Sequence, residues 1–277
     1  MKNPSRGILL IATSHPYYGR QAVNLAMTIK AVEPDIPIAL IADMRGVAHL
    51  NDAERNLFSV VKQPLRKGAG LLGANAMRMM LPALSPFQET LALDVDMLWL
   101  GRKKPSELFA LLDGRDFTIV NEGFIDLDSG ADHTTGRYLH WADPEALREA
   151  YDLKGRLYQV RGEFILFRKS KEVGLMYKSA RNIQRNPGVA TKLLGGSVTD
   201  EFALNLALNS GGIEPHESQW QPTYWPNIHG NIMPPVHTLH DSYYAVSFGG
   251  NYASPGARRA YTSVIRCGHS FCIAAPM

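Results

Sequence analysis

Cysteine is nearly absent from this 277-residue chain: Cys267 and Cys272, with His269 between them, are the whole complement. So few thiols exclude a disulfide framework. A zinc site built on that pair needs ligands from elsewhere in the chain. Two free thiols in a reducing compartment is the simpler reading, and a cytoplasmic protein is expected. Long hydrophobic runs are missing too. No segment approaches the roughly 20 apolar residues of a helical membrane span. The first apolar run is followed by His15, Pro16, Tyr17 and Tyr18, not by a small-residue cleavage site, so it is read as a strand and not a signal peptide. Charge of one sign does not dominate: 29 Lys and Arg stand against 26 Asp and Glu. That slight basic balance suits an anionic nucleotide or nucleic-acid partner without specifying either. There is no internal repeat and no low-complexity tract.

What is present is alternation. Gly7 to Thr13 is a short apolar run ending in polar residues. Apolar residues at helical spacing follow from Gln21 to Val32, and a second apolar run, Ile36 to Ala42, ends at Asp43. Strand, helix, strand in this order is a βαβ signature and predicts a parallel sheet. A second helix is expected over Leu72–Leu81, with further strands at Phe117–Val120 and Glu163–Phe167. Thr199 to Asn209 reads as a helix capped by Thr199, with Asp200 and Glu201 in its first turn. From Gly211 onward Pro, Gly, His and aromatics replace clear periodicity. The predicted organisation is a core over residues 1–210 and a loop-rich part over 211–277 that completes the site and offers an acceptor surface.

The most informative stretch is Thr90-Leu91-Ala92-Leu93-Asp94-Val95-Asp96-Met97-Leu98-Trp99-Leu100. It is an apolar run broken only by two acids. Buried strands rarely tolerate carboxylates without partners. Two hard oxygen donors at a strand end suit Mg²⁺ or Mn²⁺ carrying a phosphate-rich substrate. In open α/β sheets ligands bind beyond the carboxyl ends of strands. Thr13 to Tyr18, including Ser14 and Tyr17, lies at such an end, as do Asp43 and the Asp94/Asp96 pair.

These pieces together resemble the retaining GT-A glycosyltransferases of the glycogenin and lipopolysaccharide galactosyltransferase group, from residue 7 to about residue 210. The resemblance implies an α/β protein: a single GT-A domain, Rossmann-like with a mostly parallel sheet, and a loop-rich C-terminal extension. It implies that the first loop holds the uridine of a nucleotide sugar, with Tyr17 or Tyr18 stacking on the base or simply covering a sheet edge. Arg78 matches a basic residue that contacts the diphosphate, although an ion pair is the alternative. Arg161-Gly162-Glu163 stands where the family has a small polar turn lining the sugar pocket, so donor choice is open. Asp200 matches an acid that contacts sugar hydroxyls, and Glu201 stands where Gln is usual, near the anomeric carbon. Helix capping is the plainer role for both. Ala245-Val246-Ser247-Phe248-Gly249-Gly250 echoes a motif whose His completes the metal site. Ser247 replaces it, and His229, His237 or His240 could substitute, His240 being the candidate ligand.

The resulting expectation is a metal-dependent transferase using a UDP-sugar, with Asp94, Asp96 and His240 around Mn²⁺ or Mg²⁺. Asp200, Glu201 and Glu163 would act at the sugar. The competing readings are a sugar-phosphate nucleotidyltransferase and a nucleotide- or nucleic-acid-binding module without catalysis. The first would usually carry a Gly-rich loop where this chain has Thr-Ser-His-Pro-Tyr-Tyr-Gly-Arg. The acceptor is open between a hydroxymethylated base in DNA and a glycan, lipid-linked or protein acceptor. Trp220, Trp225, Tyr243, Tyr244, Tyr252, Arg258, Arg259 and Arg266 can stack bases, stack sugars, or pack a loop-rich lobe.

Overall fold

The computed structural model describes residues 5–13, 15–63, 74–134, 142–191, 193–194, 197–216, 220–226 and 234–248. Along the chain the elements begin β1 (Arg6–Ala12), α1 (Pro16–Val32), β2 (Ile38–Ala42), α2 (Met44–Val47), α3 (Asp52–Arg55) and β3 (Val60–Lys62). They continue α4 (Ala74–Arg78), α5 (Leu81–Leu84), β4 (Glu89–Leu93), β5 (Met97–Trp99), β6 (Phe117–Asp126) and α6 (Pro144–Tyr151). The remainder is β7 (Arg156–Arg168), α7 (Lys171–Arg185), β8 (Leu193–Leu194), β9 (Ser197–Val198), α8 (Asp200–Gly211), β10 (Thr223–Tyr224) and β11 (Ala245–Ser247). The main sheet is mostly parallel, with six strands in the order β3-β2-β1-β4-β7-β6. Among the described residues no helix is long and apolar enough to cross a membrane.

The chain divides into two compact units interleaved in sequence. One comprises Met1–Arg66, Leu93–Phe109 and Gln221–Met277. In it β1 pairs parallel with β2 (Ile8↔Ile38) and β2 with β3 (Ala39↔Val60). All five residues of β2 are buried, as a parallel strand covered on both faces requires. Helix α1 begins at Pro16, earlier than the apolar spacing from Gln21 predicts. The His15 ring nitrogen caps it by accepting from the Tyr17 N–H, and Pro16 at the first turn lacks the donor that would go unpaired there. Tyr17 and Tyr18 are therefore helical residues and not loop residues. Gly19 allows a close approach: a Cβ there would lie 1.9 Å from the Gly46 carbonyl oxygen. The short sheet β10-β11-β5 completes this unit around Leu98, Leu100, Tyr224, Leu239, Val246 and Phe248.

The other unit comprises Lys67–Ala92 and Ala110–Trp220. Residues 211–220 of the loop-rich part thus go with this unit, and residue 221 onward with the first. Its strands outrun the predicted segments: β6 and β7 form a long antiparallel pair. Helix α7, absent from the sequence reading, buries Val173, Met176, Tyr177, Ala180 and Ile183 at helical spacing. Burial of Val173, Met176 and Ile183 contributes about 1.5–3 kcal/mol each. The helix predicted over 72–81 has residues 72 and 73 outside the described set. The rest is two short helices, α4 and α5, with Pro82 in the first turn of the second, where it cannot continue the first. Helix α8 matches its prediction. Thr199 caps it through the Phe202 N–H, and Gly212 ends it at φ 61°.

Candidate functional site

In the first unit the predicted residues gather at strand ends. Thr13 follows β1 and is buried, its hydroxyl oxygen without a hydrogen-bond partner among the described residues. Ser14 lies outside the described residues. Tyr17 and Tyr18 are 40% and 37% exposed, large apolar rings facing solvent. Asp43 follows β2 and is buried. Its Oδ1 accepts from the Gly46 N–H at 2.9 Å, so it caps α2. Asp94 and Asp96 are half-buried on either side of buried Val95, in the link between β4 and β5. The predicted single strand is thus two strands, and the acids occupy the break.

Two half-buried carboxylates at a strand end are the donors that Mg²⁺ or Mn²⁺ accepts, with diphosphate oxygens and water supplying the remaining positions. On donor chemistry the pair fits such an ion. Among the described residues no group of three or more His, Cys, Asp or Glu is assembled for a metal. The register explains why His240 does not join the pair. Strand β11 runs antiparallel to β5, with Ser247 opposite Met97 and Ala245 opposite Trp99. The Phe248 N–H donates to the Asp96 carbonyl, so Ser247 flanks the acids, while the turn carrying His240 lies toward the Trp99 end. There Arg102 pairs with Asp241 at 3.3 Å, and the Lys103 ammonium donates to the Asp241 carbonyl at 2.9 Å. His240 is buried, neither ring nitrogen is hydrogen-bonded among the described residues, and burial followed by the nearby Arg102 lowers its pKa.

The second unit holds a buried charged cluster that the sequence revealed only in part. Arg78, on α4, donates from Nη1 to Asp200 Oδ2 at 2.7 Å and from Nη2 to the Gly162 carbonyl at 3.0 Å. Of the two roles open to Arg78, the ion pair is present, and its partner is Asp200, 122 residues away in sequence. Thr199 performs the capping of α8, which leaves Asp200 for the guanidinium. The Gly162 N–H donates to Glu201 Oε1 at 3.3 Å. Glu201 is half-buried, and burial, then Asp200, then Glu163 push its pKa up to about 8. The hydroxyl of buried Tyr177 has no hydrogen-bond partner among the described residues, and its pKa is raised by burial and by Asp200.

The backbone explains how these groups meet. Along β6, Ile119 faces Ile165 and Val120 faces Arg161, so residues 162–164 bulge out of β7. Bulges re-aim side chains and gather near functional sites. Gly162 is required there, because a Cβ would sit 2.4 Å from Arg78 Nη1 and 2.8 Å from Asp200 Oδ2. The sequence marks Arg161 in the turn before Glu163, but nothing in it points to Glu122 or to the pairing of the two. Arg161 approaches Glu122 Oε1 at 3.2 Å and Glu163 Oε1 at 3.1 Å. All three are buried, and neither contact has hydrogen-bond alignment.

No family model matches the chain, and no curated protein matches it in sequence. Solved structures do. The bifunctional glycosyltransferase WbbM, in its apo form, matches 93% of this chain at 13% identity with a TM-score of 0.55. This chain spans 51%, about half, of that protein's length. The galactosyltransferase LgtC, solved with donor and acceptor sugar analogues, matches 94% of this chain and 95% of its own at 15% identity, with a TM-score of 0.51. An active-site mutant of LgtC matches over the same shares with a TM-score of 0.50. At such identities the likeness is one of fold. The chain has the fold of the GT-A glycosyltransferases and resembles the lipopolysaccharide galactosyltransferases in its architecture.

Proposed function

We propose that the protein is a metal-dependent retaining glycosyltransferase that moves a sugar from a UDP-sugar to a hydroxyl of a glycan acceptor. The observation that carries the reading is the Asp94-Val95-Asp96 link between β4 and β5 of a GT-A fold. A divalent ion held by Asp94 and Asp96 would neutralise the charge that develops on the leaving diphosphate. Thr13, Ser14, Tyr17, Tyr18 and Asp43 are assigned to the nucleoside. Arg78 is assigned both to the diphosphate and to holding Asp200. Asp200, Glu163 and Glu201 are assigned to the sugar. The nucleotidyltransferase and non-catalytic alternatives gain no support from any described residue, and neither does a modified-DNA acceptor. Arg258, Arg259 and Arg266, on which the DNA reading leaned, lie outside the described residues.

The deciding experiment has two arms. Calorimetric titration of UDP with and without Mn²⁺ should show metal-enhanced binding. UDP release from a panel of UDP-sugars, with oligosaccharide acceptors and NMR of the product's anomeric centre, should show transfer with retention. UDP binding that ignores metal, together with no turnover of any donor, would overturn the reading.

A further inference from the structure

We propose that Glu201 works as a protonated, neutral carboxylic acid that donates a hydrogen bond to an oxygen of the transferred sugar, and not as an anionic base or nucleophile. The proposal rests on the glycosyltransferase reading for its substrate and on the cluster's geometry for its chemistry. Four carboxylates meet here: Glu122 on β6, Glu163 in the β7 bulge, and Asp200 and Glu201 opening α8. Two guanidiniums serve them. Arg78 gives one nitrogen to Asp200 and another to the Gly162 carbonyl. Arg161 lies between Glu122 and Glu163. Among the described residues, Glu201 is the carboxylate of the four with no guanidinium in ion-pair contact. Its polar contact among them is a backbone N–H, from Gly162 at 3.3 Å.

The groups around Glu201 come from each element packed on α8. Strand β7 supplies Glu163 and the Gly162 N–H, α4 supplies Arg78, and α8 itself supplies Asp200, while the Tyr177 hydroxyl of α7 acts on Asp200 and not on Glu201. Arg78 favours charge on Glu201, as does its first-turn position. Burial beside Asp200 and Glu163 opposes it and outweighs both, raising the pKa to about 8. A carboxylic acid kept neutral by its site can donate a hydrogen bond where a carboxylate can only accept. Glu201 is half-buried while Asp200 and Glu163 are fully buried, so it keeps an edge that a ligand can reach.

The sign of the pH dependence follows. The folded-state pKa, about 8, lies above the reference of 4.5. Between those values folding takes up a proton, so this group's contribution to stability declines as pH rises through the window and levels off above it. Three readouts test the idea. Infrared spectra of the wild-type protein should show a protonated carboxyl band at pH 7 that disappears above pH about 8 and is missing from Glu201→Gln. Denaturant midpoints of wild type and Glu201→Gln should diverge from pH about 5 to about 8, with the Gln variant gaining relative to wild type. In transfer assays Glu201→Gln should lower kcat by less than about tenfold and flatten the alkaline limb of the pH profile, whereas Glu201→Ala should cost on the order of 100-fold. An ionised Glu201 at pH 7, or a Gln variant as inactive as the Ala variant, overturns the proposal. No transfer by wild type from any donor overturns the enzymatic reading on which the role depends, while the infrared and unfolding arms still report whether the proton is there.

Discussion

The acids of the two units sit in opposite kinds of place. Asp43 and the Asp94/Asp96 pair stand where strands stop, in the first unit. Glu122, Glu163, Asp200 and Glu201 stand inside or at the start of regular elements of the second, with two arginines threaded between them. A carboxylate at a strand end can keep contact with water and trade it for a metal or a ligand. A carboxylate inside a sheet cannot, so it must hold a cation, a backbone N–H or a proton. The first arrangement is built to exchange partners. The second is built to keep them.

Substitution of Asp94 or Asp96 tests the first half of that contrast and should give the largest effect. Asp94→Asn and Asp96→Asn should each reduce transfer by 100- to 1,000-fold or more, about 3–4 kcal/mol of lost charge stabilisation. Melting temperature should move little, since both side chains are half-buried. Transfer kinetics beside thermal unfolding provide the check. A variant that keeps full activity would remove the metal-centre reading. One that loses fold and activity together would place these acids with the second group.

Arg161→Met tests the second half. It removes the guanidinium that approaches buried Glu122 and Glu163, and breaking a buried pair from one side costs about 3–5 kcal/mol. Chemical denaturation should show that loss. An Arg161→Met variant as stable as wild type would mean that water or protonation already satisfies the two acids.

The contrast also explains what could be read from the sequence. The Asp94/Asp96 pair was legible because two acids interrupt an apolar run, a purely local signal. The capped start of α8 was legible for the same reason: Thr199 with two acids after it follows a known pattern. The pairing of Arg161 with Glu122 was not legible, because nothing local says that residues 122 and 161 meet. That follows from a sheet register and from a bulge that throws residues 162–164 out of the ladder. Arg78 was found, but its ion-pair partner was not, since Asp200 is remote in the chain. His240 was proposed from proximity to Ser247 in sequence. The strand pairing sets Ser247 opposite Met97, while His240 stands in the turn before β11, next to Asp241, which meets Arg102 and Lys103. The early start of α1 was missed because His15 is an uncommon cap, although Pro16 was a usable signal.

A smaller effect is expected at the joint of the cluster. Gly162→Ala should cost about 1–3 kcal/mol, because the new Cβ must displace Arg78 or Asp200. Its φ is not the reason: residue 162 is not among the positive-φ glycines. The loss should therefore shrink in the Gly162→Ala/Arg78→Ala double variant, where one obstacle is gone. A double-mutant cycle on unfolding free energies measures that coupling. Simple additivity would mean that the ion pair yields freely and is not held in place.

The smallest effect concerns Asp43, the acid that belongs to neither group cleanly. It stands at a strand end like Asp94, yet it is buried and already engaged, its Oδ1 capping α2 through the Gly46 N–H at 2.9 Å. Losing an N-cap costs about 1 kcal/mol, and Asn caps about as well as Asp. Asp43→Ala should thus lower the melting temperature by roughly 2–4 °C, and Asp43→Asn should barely change it. The two substitutions separate what one cannot. If Asp43 serves only the fold, UDP affinity follows stability: slightly weaker in the Ala variant, unchanged in the Asn variant. If its charge also meets the nucleoside, Asp43→Asn weakens UDP binding while the melting curve stays in place, because the cap survives and the ligand contact does not. Calorimetry on both variants reads the difference directly. A loss of affinity confined to Asp43→Asn and Asp43→Ala alike, without a matching loss of stability in the former, puts Asp43 with the acids that exchange partners. Unchanged affinity in the Asn variant puts it with those that keep them.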